Sequence, residues 1–133
     1  MLQQPNYWLQ LLRSYRLRRR FAKCGQNFIV YGKPHISYPS KIQLGDNVIL
    51  NHSCELNATL SSIVIGNNCT ISAGAKILAA TYDVNGFFSN HTKDHISKPV
   101  YIGDDVWICA GAIICPGVRI VGGGNCCSRS GRY

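Results

Sequence analysis

The chain of 133 residues lacks any apolar segment that approaches the roughly 18 residues needed to span a membrane. Its first residues, MLQQPNYW, also lack the basic and then apolar order of a secretory signal peptide. These two absences predict a cytoplasmic protein. The length is near that of one ordinary domain, and 46% apolar residues are enough to form a packed core.

Acidic residues are scarce, because six Asp and Glu stand against fourteen Lys and Arg, which gives a formal net charge of +8. The segment from Arg13 to Lys23 holds five arginines and one lysine. It could bind an anionic membrane surface or another polyanion, or it could be the solvated face of a helix. Neither a zinc-finger spacing nor an aromatic RNA-binding signature accompanies it, so nucleic acid is not expected as a partner.

The seven cysteines lack the CxxC pairs and the histidine cluster of a zinc site, so no metal site is expected. Cys54 and Cys69 fall at the small-residue position of a repeat that is described below, which predicts buried free thiols. Cys126 and Cys127 are adjacent and poorly placed to bridge each other. We therefore predict that the thiols are reduced.

The most informative segment is Val100 to Ile120, VYIGDDVWICAGAIICPGVRI, which has an aliphatic residue at every sixth position. These residues are Ile102, Ile108, Ile114 and Ile120. A period of six fits neither an amphipathic helix nor a half-buried strand. It is typical of a hexapeptide β-helix, in which three hexads form one triangular coil and stacked aliphatic side chains fill the interior. The sequence therefore predicts an all-β solenoid.

One phrase, an aliphatic residue followed by Gly and then by Asn or Asp, starts successive coils at Ile42, Ile63 and Val100. The predicted inward side chains are Leu44, Leu50, Leu56, Ile65, Ile71, Ile77, Ile102, Ile108 and Ile114. Val100 follows Ile63 by 37 residues, nineteen more than one coil of eighteen. The excess forms a polar loop over residues 82–99, and a long excursion from a regular solenoid is the first place to look for chemistry.

Residues 6 to 23 are predicted to form an amphipathic helix. Its apolar stripe follows the i, i+3, i+4, i+7 spacing at Trp8, Leu11, Leu12 and Tyr15. We expect the helix to cover the open end of the solenoid, since an uncovered end exposes core and unpaired backbone. The predicted organisation is a helix and connector over residues 1–40, the β-helix over residues 41–120 and a tail over residues 121–133.

The phrase IGDDVWICAGAIICPGVRI resembles the last coil of hexapeptide-repeat acyltransferases, in the branch of maltose, galactoside and polysaccharide O-acetyltransferases. This resemblance implies a left-handed parallel β-helix and a homotrimer with active sites at the subunit interfaces. It also implies acetyl-CoA as the acetyl donor, a sugar or polysaccharide-precursor hydroxyl as the acceptor and no required metal. The chemistry would need a histidine that takes the proton of the acceptor hydroxyl.

The catalytic histidine of the sugar acetyltransferases corresponds to Tyr82 here, and a tyrosine with an ordinary pKa near 10 is a poor base at neutral pH. Other family members carry their base four residues before a proline. That position is His95, which we take as the catalytic residue, with His91 as the alternative. A neighbouring carboxylate, Asp83 or Asp94, could orient it.

The resemblance also implies roles for residues outside the loop. Trp107 and Ala110 match positions that border the acetyl-CoA channel. Asn51 and Ser53 lie where the residues that contact the acceptor cluster, and Asp83 is a further candidate for substrate binding.

After Ile120 the family continues with a phrase such as GEGAIVAAGAVVT, whereas this chain continues with residues that show no hexad pattern. Removing one base from the Val121 codon and reading in the shifted frame is compatible with that phrase. We therefore expect a frame-shifted and truncated C-terminus, which would weaken the acetyl-CoA site.

Two other functions stay open at this point. The chain could be a non-catalytic β-helix that serves as a scaffold or assembly protein. It could also transfer the acetyl group to a serine or an amine rather than to a sugar hydroxyl.

Overall fold

A computed structural model describes residues 7–83, 95–123 and 125–126 of the chain. In these ranges the protein has one α-helix and sixteen short strands. The helix α1 spans Tyr7–Arg18, and a 3-10 helix spans Pro39–Lys41. The strands are β1 Lys23–Cys24, β2 Ile29–Val30, β3 His35–Ser37, β4 Ile42–Leu44, β5 Ile49–Leu50, β6 Glu55–Asn57, β7 Ile63–Ile65, β8 Thr70–Ile71, β9 Lys76–Leu78, β10 Ala80–Tyr82, β11 His95–Ser97, β12 Val100–Ile102, β13 Trp107–Ile108, β14 Ile113–Ile114, β15 Arg119–Ile120 and β16 Asn125–Cys126.

Fourteen of these strands stack into three parallel sheets, which form the three faces of a solenoid. Sheet A has the order β1-β4-β7-β12-β15, sheet B has β16-β13-β8-β5-β2, and sheet C has β14-β9-β6-β3. Each coil contributes one strand to each sheet, so that residues one coil apart pair in register, as Leu44 does with Ile65. The predicted parallel solenoid with an N-terminal helix is confirmed.

The interior of the solenoid is filled by the aliphatic side chains that the six-residue period predicted. All nine predicted inward residues are at most 1% exposed. A second set of small residues is buried with them, at Val48, Cys54, Cys69, Ala75, Val106 and Ala112. Each fully buried aliphatic side chain contributes about 1.5–3 kcal/mol, so this column is the main source of stability.

The corner between sheets A and B, which we call the A–B corner, has the same chemistry in four successive coils. The side-chain oxygen of Asp46 accepts a hydrogen bond from the backbone N–H of Gln26 at 2.8 Å, and that of Asn67 accepts one from Asp46 at 2.7 Å. The glycine before each pair is required, because a Cβ on Gly45 would lie 2.7 Å from the carbonyl carbon of Gly66. The repeated Gly-Asx phrase thus joins each coil to the next.

The solenoid begins earlier than residue 41, where the sequence had placed its start. Strands β1, β2 and β3 form a complete first coil, which pairs with the second coil in all three sheets. Gly25, Gln26 and Asn27 form its A–B corner, and Asn27 adopts the same left-handed backbone as Asn47 in the next coil. The predicted connector was wrong because this coil lacks the aliphatic residue before glycine, where Cys24 stands instead.

The helix is shorter than predicted and ends at Arg18 instead of residue 23. The chain turns inward there, because Phe21 is buried and packs edge-to-face on Phe28 with ring centroids 5.5 Å apart. The helix contacts the first coil through the side that carries Arg13, Ser14 and Leu17. The Ser14 hydroxyl accepts a hydrogen bond from the backbone N–H of Val30, and the Arg13 guanidinium donates to the carbonyl of Gly32.

Beyond Ile120 the chain continues the stack, since Asn125 pairs with Trp107 and Cys126 with Ile108 in sheet B. The tail that the sequence showed as patternless therefore adds a strand before residue 127. Residues 127–133 lie outside the described part of the chain, and the predicted frameshift stays a prediction.

Candidate functional site

The predicted loop leaves the solenoid at the corner between sheets C and A, which we call the C–A corner. Its base is an antiparallel ribbon in which β10 pairs with β11, with Thr81 opposite Ile96. The Lys98 backbone N–H donates to the Ala79 carbonyl at 3.0 Å and closes this ribbon against the third coil. The ribbon holds both ends of the excursion on the rigid solenoid, which is how precise sites are usually supported.

The ribbon brings together two of the predicted catalytic residues, Tyr82 and His95, which are directly opposite each other. Their ring centroids lie 4.8 Å apart, and the ring planes are inclined by 30°. Both side chains are exposed, Tyr82 at 61%. The tyrosine ring restricts the imidazole orientation on one side, whereas the other side stays accessible to a substrate. A neutral imidazole in this position can accept a proton from a hydroxyl group.

Asp83 follows Tyr82 directly and is partly buried next to the ribbon. His91, the alternative base, and Asp94 lie outside the described residues. The structure therefore places His95 and Tyr82 as a pair with Asp83 beside them in the chain.

Asn51 and Ser53 lie elsewhere, in the turn between sheets B and C of the second coil, which we call the B–C corner. The Asn51 side-chain amide donates to the carbonyl of Ile71 at 3.2 Å, and Ser53 has a left-handed backbone with φ of 58°. Ala110 lies at the same corner of the fourth coil, and the neighbouring Gly111 N–H donates to the Ala73 carbonyl at 3.2 Å. These residues line one edge of the solenoid.

Trp107 begins strand β13 in sheet B, with 48% of its side chain exposed. Its indole N–H donates to the Ser72 hydroxyl at 2.7 Å, which fixes the ring against the third coil. The indole thus presents a held apolar surface close to Ala110, three residues further along the same coil.

Apart from Trp107 on strand β13 and His91, which lies outside the described residues, the predicted site residues fall into two groups at different corners. The ribbon pair and Asp83 are at the C–A corner, whereas Asn51, Ser53 and Ala110 are at the B–C corner. A strand of sheet C separates these corners, and three residues at about 3.3 Å each span roughly 10 Å. One chain by itself does not bring the two groups together.

The chain was compared with known proteins by sequence and by fold. No family model matches it. It is 30% identical over 111 residues to the Escherichia coli K12 protein WcaF, named for acetyl transfer in colanic acid biosynthesis; the match covers 81% of this chain and 57% of WcaF. A maltose O-acetyltransferase from Clostridium difficile 630 is 28% identical, superposes with a TM-score of 0.73, and the match covers 89% of this chain and 60% of that chain.

This chain is a relative of the hexapeptide-repeat acetyltransferases. The fold agrees as well, because a galactoside acetyltransferase solved with coenzyme A superposes with a TM-score of 0.73 at 24% identity; the match covers 88% of this chain and 56% of that chain. The predicted fold class, a left-handed parallel β-helix with an N-terminal helix, is thereby confirmed. The chain spans little more than half the length of the relatives that it matches.

Three of the thiols of this chain are buried or partly buried, which fits a structural role. Burial raises the pKa of the Cys54 thiol to about 11, and it also raises the pKa of Cys69 and Cys24. Cys54 and Cys69 are buried free thiols as predicted, and Cys115 is free and exposed. Cys109, in contrast, is disulfide-bonded, so the expectation that all seven thiols are reduced was wrong.

Within the described residues, no three His, Cys, Asp or Glu side chains converge in a way that could hold a metal ion. Across the same part of the chain, no helix has the length and apolar character that crossing a bilayer requires.

Sequence reasoning missed one surface of this acetyltransferase relative. Lys33 and Ile36 of the first coil line a groove with the side of helix α1. The signal that could have found it is Gly25-Gln26-Asn27, which shares the Gly and the last Asn of Gly45-Asp46-Asn47 and would have placed Lys33 and Ile36 on the first coil.

Proposed function

We propose that this protein transfers an acetyl group from acetyl-CoA to a hydroxyl group of a sugar or a polysaccharide precursor. The observation that carries the proposal is the ribbon that holds His95 against Tyr82 at an exposed corner of the β-helix. Relatives named as galactoside, maltose and colanic acid acetyltransferases support the acetyl chemistry and the sugar acceptor.

In the proposed reaction His95 acts as the general base. Its imidazole takes the proton of the acceptor hydroxyl while that oxygen attacks the thioester carbonyl, and a backbone N–H stabilises the oxyanion. The carbon–sulfur bond then breaks, and the imidazolium returns the proton to the departing thiolate. Tyr82 orients the imidazole through the contact between the two rings and is not itself the base.

Acetyl-CoA is the co-substrate that this chain would bind, and galactoside acetyltransferase, a structural neighbour, was solved with coenzyme A. The residues present fit an elongated thioester, since Trp107 offers a held, half-exposed indole and Ala110 a small exposed side chain. We assign these two residues to the donor, and Asn51, Ser53 and Asp83 to the acceptor.

We also propose a homotrimer, because the two groups of site residues lie at different corners of one chain. A site that combines the ribbon of one copy with the B–C corner of the next would contain both groups. Sedimentation should give about 44 kDa, three times the 14.7 kDa of one chain. A monomer with full activity would contradict this part of the proposal.

The test is release of coenzyme A thiol from acetyl-CoA in the presence of a galactoside. We expect His95→Ala to lower the rate by about 10²–10⁴-fold, which is the usual contribution of a general base. Tyr82→Phe keeps the ring and should retain most of the rate. His35→Ala is the matched control, because His35 is also an exposed histidine at the start of a strand in the solenoid.

Two results would contradict the proposal. One is a rate with His95→Ala equal to that of the wild type, which would remove His95 from the reaction. The other is the absence of acceptor-dependent thiol release with galactoside, maltose, glucosamine and serine, which would favour a non-catalytic scaffold. Faster release with glucosamine or serine than with the galactoside would move the proposal to amine or serine transfer.

A further inference from the structure

The excess positive charge of the protein is confined to its N-terminal third. Residues 1–45 contain eight Lys and Arg and no Asp or Glu, whereas residues 46–133 contain six of each sign. The net charge of +8 therefore belongs entirely to helix α1, the first coil and the beginning of the second. The uniformly charged end is distant in sequence from His95.

The helix lies on the first coil, where Ser14 pairs with Val30, but it leaves most of its apolar stripe exposed. Ser14 is buried and Leu17 packs against the core, so the helix contacts the first coil through this side. Leu12 is 47% exposed and Tyr15 is 60% exposed, and Trp8 is exposed further still. An apolar stripe of this size is unusual on a surface that meets only water.

Basic side chains flank a groove beside this stripe. The groove has a volume of about 520 Å³, and its lining includes Leu9, Leu12, Arg16, Arg20, Lys33 and Ile36. These six residues, which we call the basic groove, combine three cations with three apolar side chains. Arg13 also lines the groove, but its guanidinium is engaged with the Gly32 carbonyl.

We propose that the basic groove and the neighbouring face of helix α1 dock on an anionic phospholipid surface. A basic helix with Trp and Leu on one face lies at a membrane interface, where the apolar side chains enter the acyl boundary and the cations meet lipid phosphates. Each basic residue near such a surface strengthens binding about fivefold. The proposal is independent of the acetyl transfer, so that either can fail without the other.

The charge and the apolar side chains of the basic groove favour a lipid surface over a second copy of the chain or a nucleic acid. A second copy that presents the same groove would bring the three cations of one groove against the three of the other, which is unfavourable at low salt. A nucleic acid would satisfy the cations, but it offers no apolar phase for Leu9 and Leu12. A lipid surface provides the phosphates and the apolar layer together.

The test is co-sedimentation of the full chain with vesicles of phosphatidylcholine alone and of phosphatidylcholine with 30% phosphatidylserine. We expect binding to the anionic vesicles at 50 mM salt and at least tenfold weaker binding to the neutral ones. Binding should weaken steeply toward 500 mM salt, since the screening length falls from about 10 Å at 0.1 M to about 3 Å at 1 M.

Two double variants separate charge from apolar contact. Arg16→Gln with Arg20→Gln should weaken binding to anionic vesicles about 30-fold. Leu9→Ser with Leu12→Ser should weaken it about tenfold, because these side chains would no longer enter the acyl boundary. Lys76→Gln with Arg119→Gln is the matched control, since it removes two exposed cations outside the groove and should leave binding unchanged. Circular dichroism and a melting curve verify that each variant is folded.

A direct readout comes from Trp8. In Trp107→Phe, Trp8 is the remaining tryptophan, and its emission should shift to the blue on anionic vesicles only. Equal binding to both vesicle types, equal loss in the control variant or an unshifted emission would overturn the proposal. Binding to duplex DNA with no binding to vesicles would also overturn it, as would self-association that buries the basic groove.

Discussion

The A–B corner and the C–A corner belong to the same coils but differ in almost every respect. The A–B corner repeats one phrase, and three side-chain amides form a continuous ladder that runs from Asn27 through Asn47 and Asn68 to Asp105. The C–A corner differs in each coil: a 3-10 turn, a short loop near Leu60, the ribbon that carries His95, and a turn at Gly117.

The difference shows how a repeat protein can separate stability from chemistry. A corner whose hydrogen bonds join neighbouring coils tolerates little change, because an alteration in one coil displaces the next. A corner that is closed within its own coil can be lengthened, as the ribbon demonstrates. The solenoid thus keeps one edge constant while the opposite edge carries the candidate site.

The largest expected effect on stability is at a glycine of the A–B corner. Gly45→Ala would place a methyl group 2.7 Å from the carbonyl carbon of Gly66, so that the backbone of two coils must shift. We expect a loss of about 3 kcal/mol in the free energy of unfolding, measured by urea denaturation. Gly117→Ala is the corresponding substitution at the C–A corner. Its new Cβ would meet only the flexible Lys98 side chain at 3.1 Å, and its left-handed backbone would cost about 1–2 kcal/mol. Equal losses at both positions would contradict the distinction.

A smaller effect is expected at high pH from the column inside the solenoid. An unfolded thiol ionises near pH 9, whereas burial raises the pKa of Cys54 to about 11. Because the unfolded state loses its proton first, stability is intact below pH 9 and falls by about 1.4 kcal/mol per pH unit between pH 9 and 11. Cys54→Ala should show a flatter slope over this interval in melting curves. An unchanged slope would mean that Cys54 does not titrate in this range.

The next test is on the ladder of side-chain hydrogen bonds at the A–B corner. The Asn68 side-chain amide donates to Asp105 at 3.0 Å, and its oxygen accepts from Asn47 at 2.9 Å. Asn68→Asp would replace the donor with a carboxylate that faces another carboxylate. We expect a loss of about 1 kcal/mol in the free energy of unfolding at pH 7, measured by urea denaturation. Asp105→Asn is the control, because it retains the acceptor and should change stability by less than about 0.5 kcal/mol. An equal loss in Asp105→Asn would argue against the ladder as its cause.

The smallest effect on stability is expected at the C–A corner. Replacing residues 84–93 with Asn-Gly keeps the ribbon and shortens the connection between its strands. Shortening a loop changes its closure free energy only slowly, so the free energy of unfolding should change by less than about 1 kcal/mol. Urea denaturation of the shortened protein measures this change. Unfolding of the variant would show that the excursion supports the solenoid and would remove the contrast between the corners.

The candidate site was predictable to the extent that it depends on the repeat. The spacing of 37 between Ile63 and Val100 revealed the excursion, and the resemblance to the acyltransferase family pointed to His95, four residues before Pro99. The contact between His95 and Tyr82 could not be read from the sequence, because it depends on the antiparallel register across the excursion. The position of Asn51 at a different corner from His95 also required the folded coil.

The first coil shows the limit of pattern reasoning. Gly25 and Asn27 keep two positions of the corner phrase, but Cys24 replaces the aliphatic residue and Gln26 replaces the Asp or Asn after glycine. Pairing with the second coil overrides this weak local signal, because β2 pairs in register with β5 and the Val30 N–H donates to the Ser14 hydroxyl of helix α1.

The amino-acid sequence by itself determined the solenoid, its inward column and the glycine corners. The physical reason is that a six-residue period of aliphatic side chains is buried when three hexads close one coil, and that a glycine is needed where the A–B corners of neighbouring coils approach. Only the tertiary structure decided which residues meet at each corner and which side of helix α1 faces water. The first outcome depends on the register between coils. The second depends on the contact of Ser14 and Leu17, rather than the apolar stripe, with the first coil. A sequence pattern shows neither the register nor this contact.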